Sequence, residues 1–293
     1  MISNLLVVDH FILGGMEFKN SISIGPIHIM LYALAIVTGM ITCCLVAIPL
    51  FKKRGDKPDF ILDLMICIVP CCIVGARLWY VIFDIKSFIK PTFWESVYSM
   101  IAIWEGGLAI YGGVAGGALG VFIACKIRKV SVIRCFDYGA TMLPLGQAIG
   151  RWGNFFNQEV YGQKITNPSL QFFPLAVQID TSGSVEWYQA LFFYESMLNL
   201  LAFAVLYIFL FKRKGSSNGY STGMYFIAYG IIRGILENFR QAEYNLPLFG
   251  NSDVKIPAMV LVSILLVIAG AVIIVIRAYK DGLIFKGAKK AEK

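Results

Sequence analysis

The stretch IHIMLYALAIVTGMITCCLVAIPLFKKRGDK, residues 27–57, decides the fold class of this chain. Residues 27–50 contain no acidic side chain and no lysine or arginine, and a helix needs about 20 apolar residues to cross the hydrocarbon core of a bilayer. A cluster of basic residues follows this run at once: Lys52, Lys53, Arg54 and Lys57. The pattern predicts a membrane-spanning helix whose C-terminal end faces the cytoplasm.

Six further apolar runs of bilayer length follow along the chain. The fourth of the seven is the weakest, because Asp137 and Pro144 interrupt it. The composition agrees with this count, since 58% of the 293 residues are hydrophobic, 15% are charged and the mean hydropathy is +0.70. We therefore predict an all-α polytopic membrane protein, one integral membrane domain over 1–293 with seven transmembrane helices. The other six predicted spans are 60–83, 101–125, 135–152, 190–211, 221–240 and 256–277.

The basic residues predict how the chain is oriented. Seventeen of its 26 lysines and arginines follow the first, third, fifth and seventh spans, on one side of a seven-span arrangement. This bias places the C-terminus in the cytoplasm and the N-terminus outside. The net charge of +8 therefore sets membrane topology, and we expect no nucleic-acid partner. The start of the chain does not resemble a cleavable signal peptide, since it lacks a basic N-terminal region.

The largest loop between spans, residues 153–189, lies outside in this arrangement. Turn-forming residues alternate there with short apolar runs, which predicts a small folded extracytoplasmic cap between helices 4 and 5. The seven cysteines fall in or beside apolar runs, where they are expected to act as small hydrophobic residues. Cys67, Cys71 and Cys72 share one helical neighbourhood without a nearby histidine, so no metal site is expected.

Charged residues inside the spans form the first candidate site. Placed on the predicted spans, they lie at a common depth in the outer leaflet. A lone charge at the bilayer centre costs about 2.5–3.5 kcal/mol, so such residues need partners or a ligand. An ion-pair network that fastens helices explains a pair such as Arg240 with Glu237 equally well. Four arginines at one depth favour an anionic phosphate ligand instead. The residues are Arg77, Arg151, Arg233, Arg240, Glu105, Glu159, Glu195 and Glu237.

Glycines and tyrosines form the second candidate site. The segment 103–117, IWEGGLAIYGGVAGG, is rich in glycine, which favours close helix packing over a role in chemistry. Tyr111 within it is expected near mid-depth, with a hydroxyl that needs a partner. Tyr32 lies in the outer half of the first span, within plausible reach. Each tyrosine alone is more typical of a packed core residue than of a catalytic one.

These motifs together resemble the prolipoprotein diacylglyceryl transferase family. GRWGNFFNQEVYG, residues 150–162, resembles the family signature, and WEGGLAIYGG, residues 104–113, resembles its glycine-rich third-span motif. FYESMLN, YGIIRGILENFRQ and VGARLWY are similar to further family blocks, so the resemblance covers nearly the whole chain. It implies an enzyme of the bacterial inner membrane that transfers the diacylglyceryl group of phosphatidylglycerol to the lipobox cysteine of a lipoprotein precursor. Glycerol phosphate would be released, and no cofactor is implied.

The resemblance also implies residue roles. Arg151 and Asn154 would bind the phosphate and glycerol headgroup, and Arg233, oriented by Glu237, would stabilise the leaving phosphate or activate the thiol. Asn157 and Glu159 would shape the headgroup pocket. Together with the charge cluster, this gives the catalytic candidates Arg233, Tyr111, Tyr32 and Glu237. The candidates for phosphatidylglycerol binding are Arg151, Asn154, Asn157, Glu159, Arg77, Arg240 and Glu195.

One position departs from the best-known branch of the family. That branch has histidine at the place of Tyr111, often assigned as the base, and the two histidines of this chain, His10 and His28, lie outside the motif. A phenol has a pKa near 10, so Tyr111 would need nearby arginine to act as a base. Alternatively, arginine and the phosphate itself manage the thiol, and Tyr111 orients other groups.

Two other classes of membrane protein also place polar residues inside spans. A lipid or anion transporter could use the same arginine cluster, but such folds often show inverted repeats, and none is evident in this sequence. An intramembrane protease is disfavoured because the sequence has no HExxH motif, no serine elbow and no suitable pair of intramembrane aspartates.

Overall fold

The computed structural model describes residues 10–13, 15–25, 27–181, 184–213, 219–240 and 258–283. The chain is mostly helical across these ranges. Several basic residues that predict the orientation lie outside them, among them Lys214, Lys255 and the tail lysines 286, 289, 290 and 293. The α-helices are α1 Leu31–Lys53, α2 Phe60–Phe83, α3 Ile85–Phe88, α4 Phe93–Ile101, α5 Ile110–Arg128, α6 Val132–Phe156, α7 Leu191–Lys212, α8 Tyr220–Glu237 and α9 Ala258–Lys280.

Five of the described helices, α1, α2, α5, α7 and α9, are long and apolar enough to cross a membrane. This confirms a helical polytopic membrane protein. The other two long helices, α6 and α8, have 25 and 18 residues, and polar residues lower their hydropathy. They carry Arg151, Arg233 and Glu237 of the predicted charge cluster, and polar residues inside spans are typical of functional sites in membrane proteins.

Two helices begin later than predicted, for local reasons. The first was expected from residue 27, but residues 27–30 pair as a strand and α1 starts at Leu31. The third was expected from residue 101, but α5 starts at Ile110. Gly106 and Gly107 have φ of 87° and 71°, a left-handed conformation that glycine adopts at little cost, and it ends helical structure before α5.

Short antiparallel hairpins accompany the helices and were not predicted. Strands β1 His10–Leu13 and β2 Met16–Lys19 form one hairpin, β3 Ser21–Ile24 and β4 Ile27–Met30 a second, and β5 Ala176–Asp180 and β6 Val185–Gln189 a third. The third lies within the predicted cap segment, and strand β1 packs against β5.

An apolar cluster joins the third hairpin to the ends of α6 and α7. Phe11 of β1, Val177 and Ile179 of β5, Phe155 of α6 and Phe192 of α7 are buried together. The rings of Phe155 and Phe192 stack with centroids 4.9 Å apart. This part of the segment 153–189 is therefore folded, and α6, which continues to Phe156, takes the first residues of that segment.

The contacts divide the chain into two compact units, residues 1–46 with 137–293 and residues 47–136. In the first unit, Asp137 is buried and accepts hydrogen bonds from the backbone N–H groups of Gly219 (2.6 Å) and Thr222 (2.9 Å). It also accepts one from the Thr222 hydroxyl. The acid that weakens the fourth apolar run therefore caps the N-terminus of α8.

The second unit is built on close packing of α2 against α5. Glycines of α5 lie against the α2 backbone: a Cβ on Gly112 would collide with the carbonyl of Gly75, and one on Gly120 would lie 2.7 Å from the carbonyl oxygen of Cys67. This confirms that the glycine-rich motif serves helix packing.

Candidate active site

The end of α6 positions the first polar residues of the site. Arg151 and Asn154 lie three residues apart on one face of this helix, and Arg151 Nη1 donates to Asn154 Oδ1 at 3.2 Å. Asn154 Nδ2 in turn donates to Glu159 Oε1 at 2.9 Å. Asn157 Nδ2 lies 3.5 Å from the same oxygen. The predicted headgroup residues therefore form one hydrogen-bonded group.

A strained turn brings Glu159 back onto the helix end. Gln158 and Val160 have φ of 50° and 57°, a left-handed conformation that is rare for residues with a side chain. The Glu159 N–H donates to the carbonyl of Asn154 at 3.0 Å, which closes the turn. Such strain persists only where surrounding contacts hold it, and it is concentrated at functional sites.

Helix α7 contributes the acid at the centre of the site. Glu195 is only 3% exposed, and its Oε1 lies 2.7 Å from Arg151 Nη2. Its Oε2 lies 3.9 Å from Arg233 Nη1 of α8. One buried carboxylate therefore holds guanidinium groups from two other helices.

Helix α8 and the residues after it extend this ion-paired chain. Glu237 is fully buried, and its Oε2 lies 2.7 Å from Arg233 Nη2 and 3.5 Å from Arg240 Nη1. The helical spacing predicted one shared face for the three residues, and the contact between Arg233 and Glu237 agrees with it, whereas Arg240 follows the end of α8 and reaches Glu237 from there. The members of this ion-paired chain of side chains, in order of contact, are Arg151, Glu195, Arg233, Glu237 and Arg240.

The backbone of Arg240 is also fixed to the segment that follows the signature. It forms an isolated antiparallel bridge with Gly162. Gly162 in turn donates its N–H to the carbonyl of Gln189 at 3.1 Å, and a Cβ at Gly162 would lie 2.7 Å from the Gln189 side chain. The glycine that closes the signature therefore pairs with the segment that follows α8.

Tyr32 joins the same group from the first turn of α1. Its ring lies against Gly153, where an added Cβ would be 2.7 Å from the ring carbon Cδ2. Tyr32 is also within electrostatic range of Glu159 and Arg151. The contact of Gly153 with this ring was not predicted. The position of this glycine two residues after Arg151, inside the signature, could have indicated it.

Two predicted site residues, Arg77 and Tyr111, belong to the second unit. Arg77 is buried and donates to four backbone carbonyls, those of Ser99 (2.7 Å), Met100 (2.9 Å), Gly106 and Gly107 (3.1 Å). A guanidinium has five N–H groups, so most of the donors of Arg77 are engaged by the protein itself. The structure thus differs from the expected phosphate contact, because Arg77 holds the segment between α4 and α5.

Tyr111 lies in the first turn of α5, directly after the segment that Arg77 holds. It is 54% exposed, and its ring centroid is 6.4 Å from that of Trp79. Glu105 of the same segment is exposed as well. The structure therefore presents the Tyr111 side chain at a surface of the second unit, where it is anchored by a rigid helix pair.

The chemistry open to the first unit follows from its guanidinium groups. Arg151 and Arg233 come from different helices and are held by one carboxylate, with side chains 21% and 7% exposed. A guanidinium has five N–H donors, more than these ion pairs and the bond to Asn154 use within the described residues. Planar guanidinium forks match the oxygens of a phosphate, so the arrangement suits an anionic phosphate ligand.

Comparisons with known proteins agree with this chemistry. A family profile described as prolipoprotein diacylglyceryl transferase matches residues 19–276. Proteins from Streptococcus pneumoniae strain Hungary19A-6, serotype 19F strain G54 and strain ATCC 700669 / Spain 23F-1 are each 38% identical to this chain over 220 residues. The match covers 75% of this chain and 81% of each relative, and each relative is named phosphatidylglycerol–prolipoprotein diacylglyceryl transferase.

Proposed function

The chain belongs to the prolipoprotein diacylglyceryl transferase family, and from this we propose that it transfers the diacylglyceryl group of phosphatidylglycerol to a prolipoprotein. The acceptor is the thiol of the lipobox cysteine. The residue assignment rests mainly on one observation: Glu195 forms ion pairs with both Arg151 and Arg233. It holds two guanidinium groups in one place before any lipid arrives.

The reaction is a displacement at carbon. The cysteine sulfur attacks the glyceryl carbon that carries the phosphate, a C–S bond forms, and the C–O bond breaks with its electron pair on the leaving phosphate oxygen. The thiol proton passes to a base or to the departing glycerol phosphate. A phosphodiester with one negative charge becomes a monoester whose second ionisation has a pKa near 6, so negative charge grows on these oxygens.

Arg151 and Arg233 stabilise that growing charge. Their positions are fixed by Glu195 and Glu237, so their N–H groups need no reorganisation as the phosphate leaves. Interactions that strengthen in the transition state accelerate the reaction, whereas equal binding of substrate does not. Asn154, Asn157 and Glu159 offer amide and carboxylate groups to the glycerol hydroxyls of the headgroup, and Arg240 extends the cationic surface.

Tyr32 and Tyr111 are the candidates for handling the thiol proton. Tyr32 lies on Gly153 beside Arg151, so its hydroxyl can orient the headgroup or the thiol. Tyr111 stands at the position where the best-known branch of the family has histidine. Its exposure in the second unit keeps it available to a substrate.

The membrane arrangement is part of the proposal. We place α1, α2, α5, α6, α7, α8 and α9 as seven spans in the bacterial inner membrane, with the N-terminus and the third hairpin outside. Support comes from the five strongly apolar helices and from basic residues in the last turns of α1, α5, α7 and α9. Labelling single cysteines at Lys164 and Lys129 with a membrane-impermeant reagent tests this, with labelling from outside expected only at 164.

The activity is tested with purified protein, phosphatidylglycerol vesicles and a lipobox peptide. Mass spectrometry should detect the diacylglyceryl thioether on the cysteine peptide and nothing on a serine peptide. Arg233→Lys keeps the charge but loses the fork that contacts both Glu195 and Glu237, so transfer should fall strongly while the protein level is unchanged. Lipid movement across vesicles without a thioether would instead support a transporter.

A further inference from the structure

An apolar groove lies beside the ion-paired chain in the first unit. It has a volume of about 330 Å³ and runs between α1, α6 and α7. Polar residues are few in its wall, and the main lining residues are Leu34, Ala35, Thr38, Ile149, Trp152 and Leu200. None of the residue roles assigned above explains why these three helices leave this space.

The groove is built from helical stripes that adjoin the charged residues. On α1 its lining begins at Leu31 and recurs at spacings of three and four residues, which is one face of a helix. Leu31 directly precedes Tyr32. Trp152 and Ser196, which also line the groove, directly follow Arg151 and Glu195. The groove therefore starts at the level of the guanidinium groups and continues along the helices away from them.

We infer that this groove holds one acyl chain of the phosphatidylglycerol whose phosphate is bound by Arg151 and Arg233. This inference rests on the proposed function. An occupant that fits must have an anionic end at the guanidinium groups and an apolar chain next to it, and the diacylglyceryl substrate has both. The groove then fixes where the reacting glyceryl carbon lies, because the lipid is held at its phosphate and along one tail.

Selection by this groove depends on shape. Lipid tails are already in an apolar medium, so entering the groove gains packing contacts and no transfer from water. Ala35 is a small, nearly buried residue of the wall, and a larger side chain there would occupy the space of the tail. Val37 of the same helix is 50% exposed and is not part of the wall, so it provides a matched control.

The first experiment compares Ala35→Phe with Val37→Phe in the thioether assay, using phosphatidylglycerol with hexadecanoyl or hexanoyl chains. Ala35→Phe should lower transfer from the long-chain lipid by about tenfold or more and change transfer from the short-chain lipid much less. Val37→Phe should resemble the wild type with both lipids. Equal losses with long and short chains in Ala35→Phe would overturn the inference.

A second variant changes the groove in the opposite direction. Met197 lines the groove, and Met197→Ala widens it without adding atoms to the packed helices. Transfer from methyl-branched phosphatidylglycerol should rise relative to the straight-chain lipid. An unchanged ratio between the two lipids would contradict a groove that contacts the tail.

The second experiment detects whether a lipid tail occupies the groove and does not depend on the transfer reaction. Phosphatidylglycerol with a photoactivatable diazirine in one acyl chain should label the groove, with crosslinks at Thr38 or Leu200, and Ala35→Phe should abolish them. Equal labelling by the phosphatidylethanolamine analogue would show an unselective boundary lipid and overturn the inference. Groove labelling by a wild type that makes no thioether would sink the proposed function alone. Thioether formation without labelling would sink this inference alone.

Discussion

Replacing Glu195 by glutamine tests whether the buried acid positions the arginines or merely balances their charge. Glutamine has the same shape and keeps one oxygen as an acceptor for Arg151, but it loses the negative charge that also faces Arg233. Removing one partner of a buried ion pair costs about 3–5 kcal/mol, and the lower end of this range applies because glutamine keeps the shape and the polarity of the side chain. The loss of positioning that follows is about 3 kcal/mol.

This energy corresponds to a fall of about hundredfold in kcat, since about 1.4 kcal/mol is a factor of ten in rate. The KM for phosphatidylglycerol should stay the same or decrease, because a site with one fewer negative charge attracts an anionic lipid more strongly. The two parameters therefore separate the explanations. The assay is initial-rate thioether formation over a range of phosphatidylglycerol mole fractions.

Glu186→Gln is the matched control. It makes the same chemical change at the ion pair of Glu186 with Lys164, whose side chains are 30% and 50% exposed, so little effect on either parameter is expected. A rise in KM with normal kcat in Glu195→Gln would refute the positioning role, as would activity close to that of the wild type.

Three further predictions concern single residues. Tyr111→Phe should lower the maximal rate of thioether formation if the phenol is the base, and full retention of that rate excludes this role. Gly153→Ala pushes a methyl group into the Tyr32 ring and should impair transfer, whereas Gly150→Ala, which has open space around its Cβ, should be nearly neutral in the same assay. Arg77→Met leaves carbonyls without their donor, at about 1–3 kcal/mol for each one that stays buried, so limited proteolysis should cut the 99–107 segment faster than in the wild type.

The sequence predicted what depends on local pattern. The second span, 60–83, agrees with α2, because a long apolar run between Asp59 and Asp84 leaves little choice of boundary. The pairing of Arg233 with Glu237 followed from helical spacing alone.

Other features depend on contacts distant in sequence and could not be predicted. The link from Arg151 to Arg233 through Glu195 requires three helices to pack in a particular way. The role of Arg77 as an anchor depends on the left-handed turn at Gly106 and Gly107, which brings carbonyl oxygens to its guanidinium. The predicted depth in the membrane places Arg77 at the same level as Arg151 and Arg233. It does not distinguish an arginine that binds a ligand from one that donates hydrogen bonds to backbone carbonyls.

The close packing of the α5 glycines against the backbone of α2 restricts how the enzyme can move. With Gly112 and Gly120 lying directly on the opposite backbone, sliding or rolling of either helix would drive carbonyl oxygens into neighbouring atoms. We therefore expect α2 and α5 to move together as one rigid unit that includes Tyr111. A conformational change that separated α2 from α5 would have to break these contacts, so we expect the two helices to stay together throughout turnover.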